Sequence, residues 1–265
     1  MEHGPLTGQI ALITGANRGI GKALATTLAG AGASTIITAR NPDSLEELED
    51  AIASTGGTSD SFQMDVTNPT QVRNVFNSVM QKYGRLDLLI NNAGVDTEAC
   101  LPWEQDVDEW WQVQEVNVRG AHLCSHAALG HMTKQGSGRI IDIGSLIGAT
   151  PNPTSSAYAV SKVSLFRMST CFAAAAKDFG VSIFTVSPGL VATDLTSQPK
   201  FSDIPSANWT PIENCQAVVL ALASGKADKL TGRFIHAGLH DLDDLIENAD
   251  QIVENDKLTL GLNLD

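Results

Sequence analysis

Tyr158 and Lys162 lie four residues apart in Ser156-Ala157-Tyr158-Ala159-Val160-Ser161-Lys162, at the head of a segment with helical patterning. A four-residue step returns to within about 40° on a helix and advances about 6 Å, so phenol and ammonium share one face. A proton donor then stands beside a fixed positive charge. That charge favours phenolate, so the phenol pKa is expected to be drawn down from about 10 toward the range where tyrosine exchanges a proton near neutral pH. The same spacing also describes a packed ring with a solvated amine, so its meaning depends on the surrounding chain.

A second group of residues suits an anion. The apolar run Ile10-Ala11-Leu12-Ile13 leads directly into Thr14-Gly15-Ala16-Asn17-Arg18-Gly19-Ile20-Gly21, and helix-period apolar residues follow. A Gly-rich turn between strand and helix lets the backbone approach a pyrophosphate, whose charge meets the unpaired N–H groups and positive dipole end of the helix. The next strand ends in Thr38-Ala39-Arg40. An NAD site wants a carboxylate there for the ribose 2′-OH, whereas a 2′-phosphate wants positive charge. Arg40, with Arg18 in the turn, supplies guanidinium groups able to fork onto phosphate oxygens, and the cofactor expected is NADP(H).

Metal chemistry has weaker support. His122 and His126 stand at i, i+4, as do His236 and His240, but neither pair has a third ligand at a recognised spacing, so no metal is expected. Cys100, Cys124, Cys171 and Cys215 are scattered without Cys-x-x-Cys spacing and read as free thiols.

These groups need a scaffold, and the pattern supplies one. Runs that are apolar on successive residues, Ile10–Ile13, Thr35–Ile37, Leu86–Ile90, Ile140–Ile143 and Val181–Val186, mark strands buried on both faces. Between them lie helix-period segments. Val72, Val75, Phe76, Val79 and Met80 follow i, i+3, i+4, i+7 behind an Asn68-Pro69 cap, and Asn41-Pro42 repeats the device ahead of Leu45, Leu48 and Ile52. Beyond these, Ile212–Ala223 reads as a helix, Arg233–Ile235 as a last strand and Leu242–Val253 as an acidic helix. The fold class expected is α/β: a single domain over residues 1–265, a Rossmann-like doubly wound parallel sheet of about seven strands with helices on both faces. Residues 190–211, rich in Ser, Pro, Asp and Thr, read as a substrate lid, and 238–265 as a C-terminal extension.

Composition narrows the function. With 17 Lys plus Arg against 30 Asp plus Glu the net charge is −13, which repels nucleic acid and anionic membranes. No apolar run approaches the ~20 residues of a membrane span and Met1–Thr7 lacks signal-peptide character, so a cytoplasmic protein is expected, and Asn208-Trp209-Thr210 is treated as an accidental sequon.

The ordered set of motifs resembles the short-chain dehydrogenase/reductase family over roughly residues 8–236. It comprises Thr14-Gly15-x-x-x-Gly19-x-Gly21, Asp65-Val66, Asn91-Asn92-Ala93-Gly94, Asn117, Ser145, Tyr158-x-x-x-Lys162, and Pro188-Gly189 with Thr193. The resemblance implies that Ser145 bonds the substrate carbonyl and Tyr158 donates the proton. It implies that Lys162 lowers the phenol pKa and holds the nicotinamide ribose, while Asn117 holds a water leading to solvent. It places Gly15, Asn17, Arg18, Gly19, Ile20, Gly21 and Arg40 along the phosphates. Asp65, Val66, Asn91, Ala93 and Gly94 follow along the adenosine and nicotinamide path, and Pro188, Gly189, Val191 and Thr193 come at the ring.

Two departures stand out. An acidic tail of about 25 residues follows Thr231–His236, where relatives commonly end in a Gly-rich tail that packs into a tetramer. A homo-oligomer is expected, dimer or tetramer, with a tail that covers the active site as another possibility. Asp142-Ile143-Gly144 precedes Ser145 where a more polar stretch often stands.

Family logic puts the substrate near Val95, Asp96 and Glu98, then Leu146 and Ile147, then Asn152, Pro153 and Thr154, and the lid residues Leu190, Phe201 and Trp209. Apart from Lys200 these stretches hold no cation, which fits a small to medium neutral ketone or aldehyde as the small-molecule substrate. The leading reading is an NADPH-dependent carbonyl reductase. Its alternatives are a dehydrogenase oxidising a sugar, polyol or steroid alcohol, and a catalytically silent NADP(H) sensor.

Overall fold

The computed structural model describes residues 4–261. Seven strands, β1 (Ile10–Thr14), β2 (Ser34–Ala39), β3 (Thr58–Gln63), β4 (Leu88–Asn91), β5 (Gly138–Ile143), β6 (Val181–Ser187) and β7 (Phe234–His236), form one sheet in the order β3-β2-β1-β4-β5-β6-β7. Every pair is parallel, with Ala11 facing Thr35 on one side and Leu88 on the other. β1 is buried at all five positions, as expected of a central strand covered on both faces.

Helices α1 (Gly19–Gly30) and α7 (Ile212–Ala223) cover one face, joined by α2 (Glu46–Ser54). Helices α3 (Pro69–Tyr83), α5 (Ala121–Gln135) and α6 (Ser156–Ala176) cover the other, with α4 (Val107–Gln114) packed on α6. Leu24, Leu28, Val218 and Leu222 fill the first apolar layer, and Phe76, Val79, Met132 and Ala173 the second. None of the described helices is long and apolar enough to cross a membrane.

Local chemistry explains where elements start and stop. The Asn68 side chain accepts from Thr70 N–H and Gln71 N–H at the head of α3, with Pro69 behind it. The matching Asn41-Pro42 does not open a helix directly. It caps a single 3₁₀ turn, Pro42–Leu45, and α2 begins at Glu46. β4 starts two residues later than its apolar run; Asp87, just before it, already bonds both neighbours, its N–H donating to the Ile10 carbonyl and its carbonyl accepting from Arg139 N–H, each at 2.9 Å, while its carboxylate accepts from Ile10 N–H and from Arg85.

The region after β7 differs from the continuous helix expected. It divides into α8 (Leu242–Glu247) and α9 (Ala249–Glu254). At the junction the Asn248 side chain donates to the Asp244 carbonyl at 2.8 Å, which competes with the next helical turn. Arg233, expected within the last strand, lies just before it, paired with Asp256 at 3.2 Å. Beyond α9 the chain doubles back and the Leu258 carbonyl accepts from Phe234 N–H at 2.9 Å on β7, so the extension straps the edge of the sheet. Residues 262–265 of the extension lie outside the described residues.

Candidate active site

Strand order reverses between β1 and β4, so the connections leaving their carboxyl ends part to opposite faces and open a crevice. The cleft there runs from Gly15 and Arg40 at one end to Ser145, Tyr158 and Lys162 at the other.

At the first end the backbone itself forms the wall. Gly15 and Gly19 adopt φ of +63° and +52°, the left-handed region that favours glycine. A Cβ on Gly15 would press on Ala93 and one on Gly19 on Thr193, so both turns lie against facing segments. Gly21 is different: it is buried, its Cβ would run into the Asn92 side chain and the Gly15 carbonyl, and it packs the turn without lining the cleft. The N-cap of α1 is Arg18, whose side chain makes no capping bond, so the first-turn N–H groups are left for another partner. Its guanidinium instead meets Asp194 at 3.0 Å, both side chains about two-thirds exposed. Arg40 is exposed and lines the cleft with Asn17, Ile20 and Asp65.

A clamp that sequence reasoning missed fixes this end. Thr14 Oγ1 accepts from the N–H groups of Asn92 and Ala93, each at 3.0 Å, and the Asn92 amide donates to the carbonyls of Thr14 and Gly15, each at 2.9 Å. Both residues fall inside recognised motifs, but nothing in the spacing shows that they bind each other. Asp65 Oδ1 accepts from Thr67 N–H and Oγ1, which sets the turn after β3, and Val66 is buried against Gly120. Asn91, expected along the cofactor path, points into the protein: its amide donates to Ser125 Oγ at 2.8 Å and Asp142 Oδ1 at 2.7 Å.

At the other end the groups are enclosed. Between α4 and α5 the helix widens into a π turn, Glu115–Gly120, an irregularity that carries Asn117 inward to 2 % exposure. The Asn117 amide accepts from Val95 N–H at 2.8 Å and donates to the Val95 carbonyl at 2.9 Å and to Ser161 Oγ at 3.0 Å. It therefore ties the loop after β4 to α6. Ser161 in turn donates to the Tyr158 carbonyl.

Ser145 follows β5 after Gly144 and faces the cleft, as do Tyr158 and Lys162 from α6. Lys162 Nζ donates to the Ile143 carbonyl at 2.8 Å and lies 5.2 Å from the centroid of the Tyr158 ring. Burial lowers the ammonium's pKa to about 8, against the charges of Asp142 and Asp96, which favour the proton. The phenol moves opposite to expectation. Tyr158 is partly accessible from the cleft, yet its enclosure, with the negative charge of Asp96, pushes its pKa up. Loss of solvation is the larger cause, and the neighbouring ammonium is held on the Ile143 carbonyl.

Asp142, noted in the sequence only as a departure, is fully buried beneath Lys162. Burial pushes its carboxyl up to about 6, opposed by bonds from Ser169 Oγ at 2.5 Å and the Asn91 amide, and by the charge of Lys162. The 190–211 segment runs through short 3₁₀ turns and brings Val191 and Thr193 to the cleft beside Pro188 and Gly189. Of the residues expected to meet substrate, Val95 lines the cleft, and Leu195 and Thr196 join it unforeseen. Asn152 instead receives Thr154 N–H, and Trp209 donates to the Ile204 carbonyl. The His122 and His126 rings stack at 6.2 Å, and His240 Nδ1 accepts from His236 N–H. No group of three or more His, Cys, Asp or Glu among the described residues is placed to hold a metal ion.

A parallel sheet with a Gly-rich first turn and a Ser, Tyr and Lys set at the far end of its cleft defines a dinucleotide-type oxidoreductase architecture. The family model for short chain dehydrogenases matches residues 9–202. The 3-oxoacyl-[acyl-carrier-protein] reductase FabG of Salmonella typhimurium is 32% identical over 236 residues, 86% of this chain and 95% of the relative. The short chain dehydrogenase pigC of Monascus ruber is 34% identical over 261 residues, 96% of this chain and 86% of the relative. Among solved structures, a short-chain type dehydrogenase/reductase from Mycobacterium marinum superposes with a TM-score of 0.82 at 32% identity, covering 87% of this chain and 94% of that one. A gluconate 5-dehydrogenase from Burkholderia cenocepacia, solved in complex with NADP and tartrate, gives 0.81 at 30% identity over the same shares. The chain belongs to the short-chain dehydrogenase/reductase family, and is an oxidoreductase acting on an alcohol or carbonyl group.

Proposed function

We propose that this protein is an NADPH-dependent carbonyl reductase that converts a neutral ketone or aldehyde to the alcohol, with Tyr158 as proton donor. The observation that carries the reading is geometric: Ser145, Tyr158 and Lys162 face one cleft, with the Lys162 ammonium 5.2 Å from the centroid of the Tyr158 ring. A phenol so placed can give its proton to an oxygen held in that cleft.

The cofactor assignment rests on the fit of the first end. Gly15 and Gly19 leave a cradle that side chains would fill, α1 opens with N–H groups that Arg18 does not cap, and Arg40 stands at the end of β2 where a carboxylate would repel a 2′-phosphate. Arg18, in an exposed pair with Asp194, can exchange that partner at small cost. NADP is also what the Burkholderia cenocepacia neighbour binds. When bound, NADPH supplies the hydride.

The chain's residues do the rest. Ser145 Oγ donates to the carbonyl oxygen and orients it. Tyr158 gives that oxygen a proton as negative charge develops there, and the Lys162 ammonium stabilises the phenolate left behind. Asn117 positions the loop that carries Val95 against α6, which keeps Tyr158 and Lys162 aimed at the cleft. The 190–211 segment serves as the lid, and the working form is a homo-oligomer.

A second reading, oxidation of a polyol or sugar acid, is favoured by the likeness to a gluconate 5-dehydrogenase. NADPH oxidation measured against a panel of ketones and aldehydes, with NADP⁺ reduction against the matching alcohols and gluconate, separates the readings. Faster reduction of neutral carbonyls supports the reductase. Turnover confined to alcohols overturns it, and no turnover of either class leaves a binding protein.

A further inference from the structure

The lid is fastened at two places of unlike character. Arg18–Asp194 is exposed, whereas Lys200 and Asp96 form an ion pair with side-chain exposures of 13% and 3%. Lys200 Nζ donates to Asp96 Oδ2 at 2.5 Å and to the Thr97 carbonyl at 2.8 Å, and lies 5.4 Å from the centroid of the Phe201 ring. Asp96 follows Val95, the residue that Asn117 clasps on both its backbone groups. Its carboxylate is close enough to the reaction end for its charge to act on both Tyr158 and Lys162.

Lys200 is the one cation that the 190–211 segment carries, and the sequence alone leaves it free to receive an anionic substrate group. The fold commits it elsewhere. The Lys200–Asp96 pair stands next to Val95, which lines the cleft, without either residue lining it, and Lys162 has the charge of the Asp142 carboxylate beside it. An incoming carboxylate would have to break a buried pair to gain a partner, and a buried charge left unpaired is strongly penalised.

We propose that Asp96 is a specificity-determining residue: by holding Lys200 in a buried ion pair it cancels the positive charge the lid brings to the reaction end, so that the site takes neutral carbonyl compounds and turns away 2-oxo acids. This rests on the carbonyl reductase reading above. Asp96 excludes by occupying the cation, and specificity of this kind comes from a competing partner already in place rather than from a contact with the preferred substrate.

The test removes the charge and keeps the shape. Asp96→Asn frees Lys200 without changing side-chain size. Two measurements are made on wild type, Asp96→Asn and the double variant Asp96→Asn/Lys200→Gln. The first is kcat/KM for a 2-oxo acid against its ethyl ester, in which the reacting carbonyl is the same and only the charge differs. In Asp96→Asn the acid-to-ester ratio is expected to rise roughly ten- to a hundredfold, the worth of one hydrogen bond to a charged group. In the double variant it is expected to fall back.

A purely structural role for Asp96 would lower both activities together and leave the ratio alone. An unchanged ratio in Asp96→Asn, or a raised ratio that persists in the double variant, overturns the proposal. The second measurement needs no activity: trypsin cleavage after Lys200, followed by mass spectrometry with the exposed Lys257 as internal reference. Wild type is expected to resist at Lys200, and Asp96→Asn to be cut there at least about tenfold faster, because the lysine can then enter the protease. Equal cleavage in both denies that the pair fastens the lid. If no carbonyl compound is reduced by wild type the reductase reading fails, and the cleavage result still reports whether Asp96 holds Lys200.

Discussion

At the Gly-rich end the cleft is bordered by backbone and by two exposed arginines, whereas toward the reaction end Lys162, Asp142 and Asp96 are each enclosed, and the Lys162 ammonium feels the charge of both carboxylates. Charges of the first kind are screened and interchangeable, and they decide which ligand is preferred while leaving the fold almost untouched. Buried charges cannot be altered singly, because the balance of burial and partners at one site sets the protonation of the next. Substitutions at the two ends should therefore fail in different ways.

The largest effect is expected from Tyr158→Phe, which deletes one proton and little volume. Turnover should fall by roughly 10²- to 10⁴-fold, the contribution of general acid catalysis, with NADPH affinity by fluorescence titration nearly unchanged. Retained turnover would remove the proton-donor assignment. At the opposite end Arg40→Asp should weaken NADPH binding by roughly ten- to a hundredfold and favour NADH, as read by calorimetric titration. Its thermal midpoint should barely move, since the side chain is exposed. A large loss of stability would erase the contrast between the ends.

The coupling of the buried charges predicts a pH effect of defined sign. Reduction needs the Lys162 ammonium, so the rate should fall as pH rises through about 8. Asp142→Asn removes a carboxylate that favours that proton, and should move the falling limb to lower pH by up to about one unit. A limb that stays in place would show that Lys162 is indifferent to what lies beneath it.

Stability gives a second view of the same group. The folded pKa of Lys162 lies below its ordinary 10.5, so between about 8 and 10.5 the unfolded chain holds a proton that the folded chain has released. Unfolding free energy should therefore rise with pH across that window, by at most about 1.4 kcal/mol per pH unit from this site, and denaturant titrations of Lys162→Met should lack that rise. The smallest change is expected from Arg18→Ala. Breaking the exposed pair with Asp194 should cost less than about 1 kcal/mol by denaturant titration, the usual ceiling for such pairs.

How much of this was legible follows the same division. The five apolar strands, the Asn68 cap and the α7 boundaries could be read because each depends on neighbours along the chain. β3 showed no apolar run: its residues Thr-Ser-Asp-Ser-Phe-Gln pair on one side only and are half-buried, so nothing selects for continuous hydrophobicity. Position in the cleft was legible for Ser145, Tyr158 and Lys162, whereas the direction of the phenol's shift was not, since spacing records the neighbouring lysine and says nothing about solvent. The same limit hid the inward turn of Asn91, the clamp between Thr14 and Asn92, and the commitment of Lys200. Each depends on a partner dozens of residues away.

The bond from Phe234 N–H to the Leu258 carbonyl also has a consequence for association. β7 pairs with β6 on one side and meets the strap on the other, so loss of the strap would leave a protein with its cleft already built and a sheet edge ready to join the edge of another copy. Protection of that edge is thus entrusted to a segment that touches none of the reacting groups.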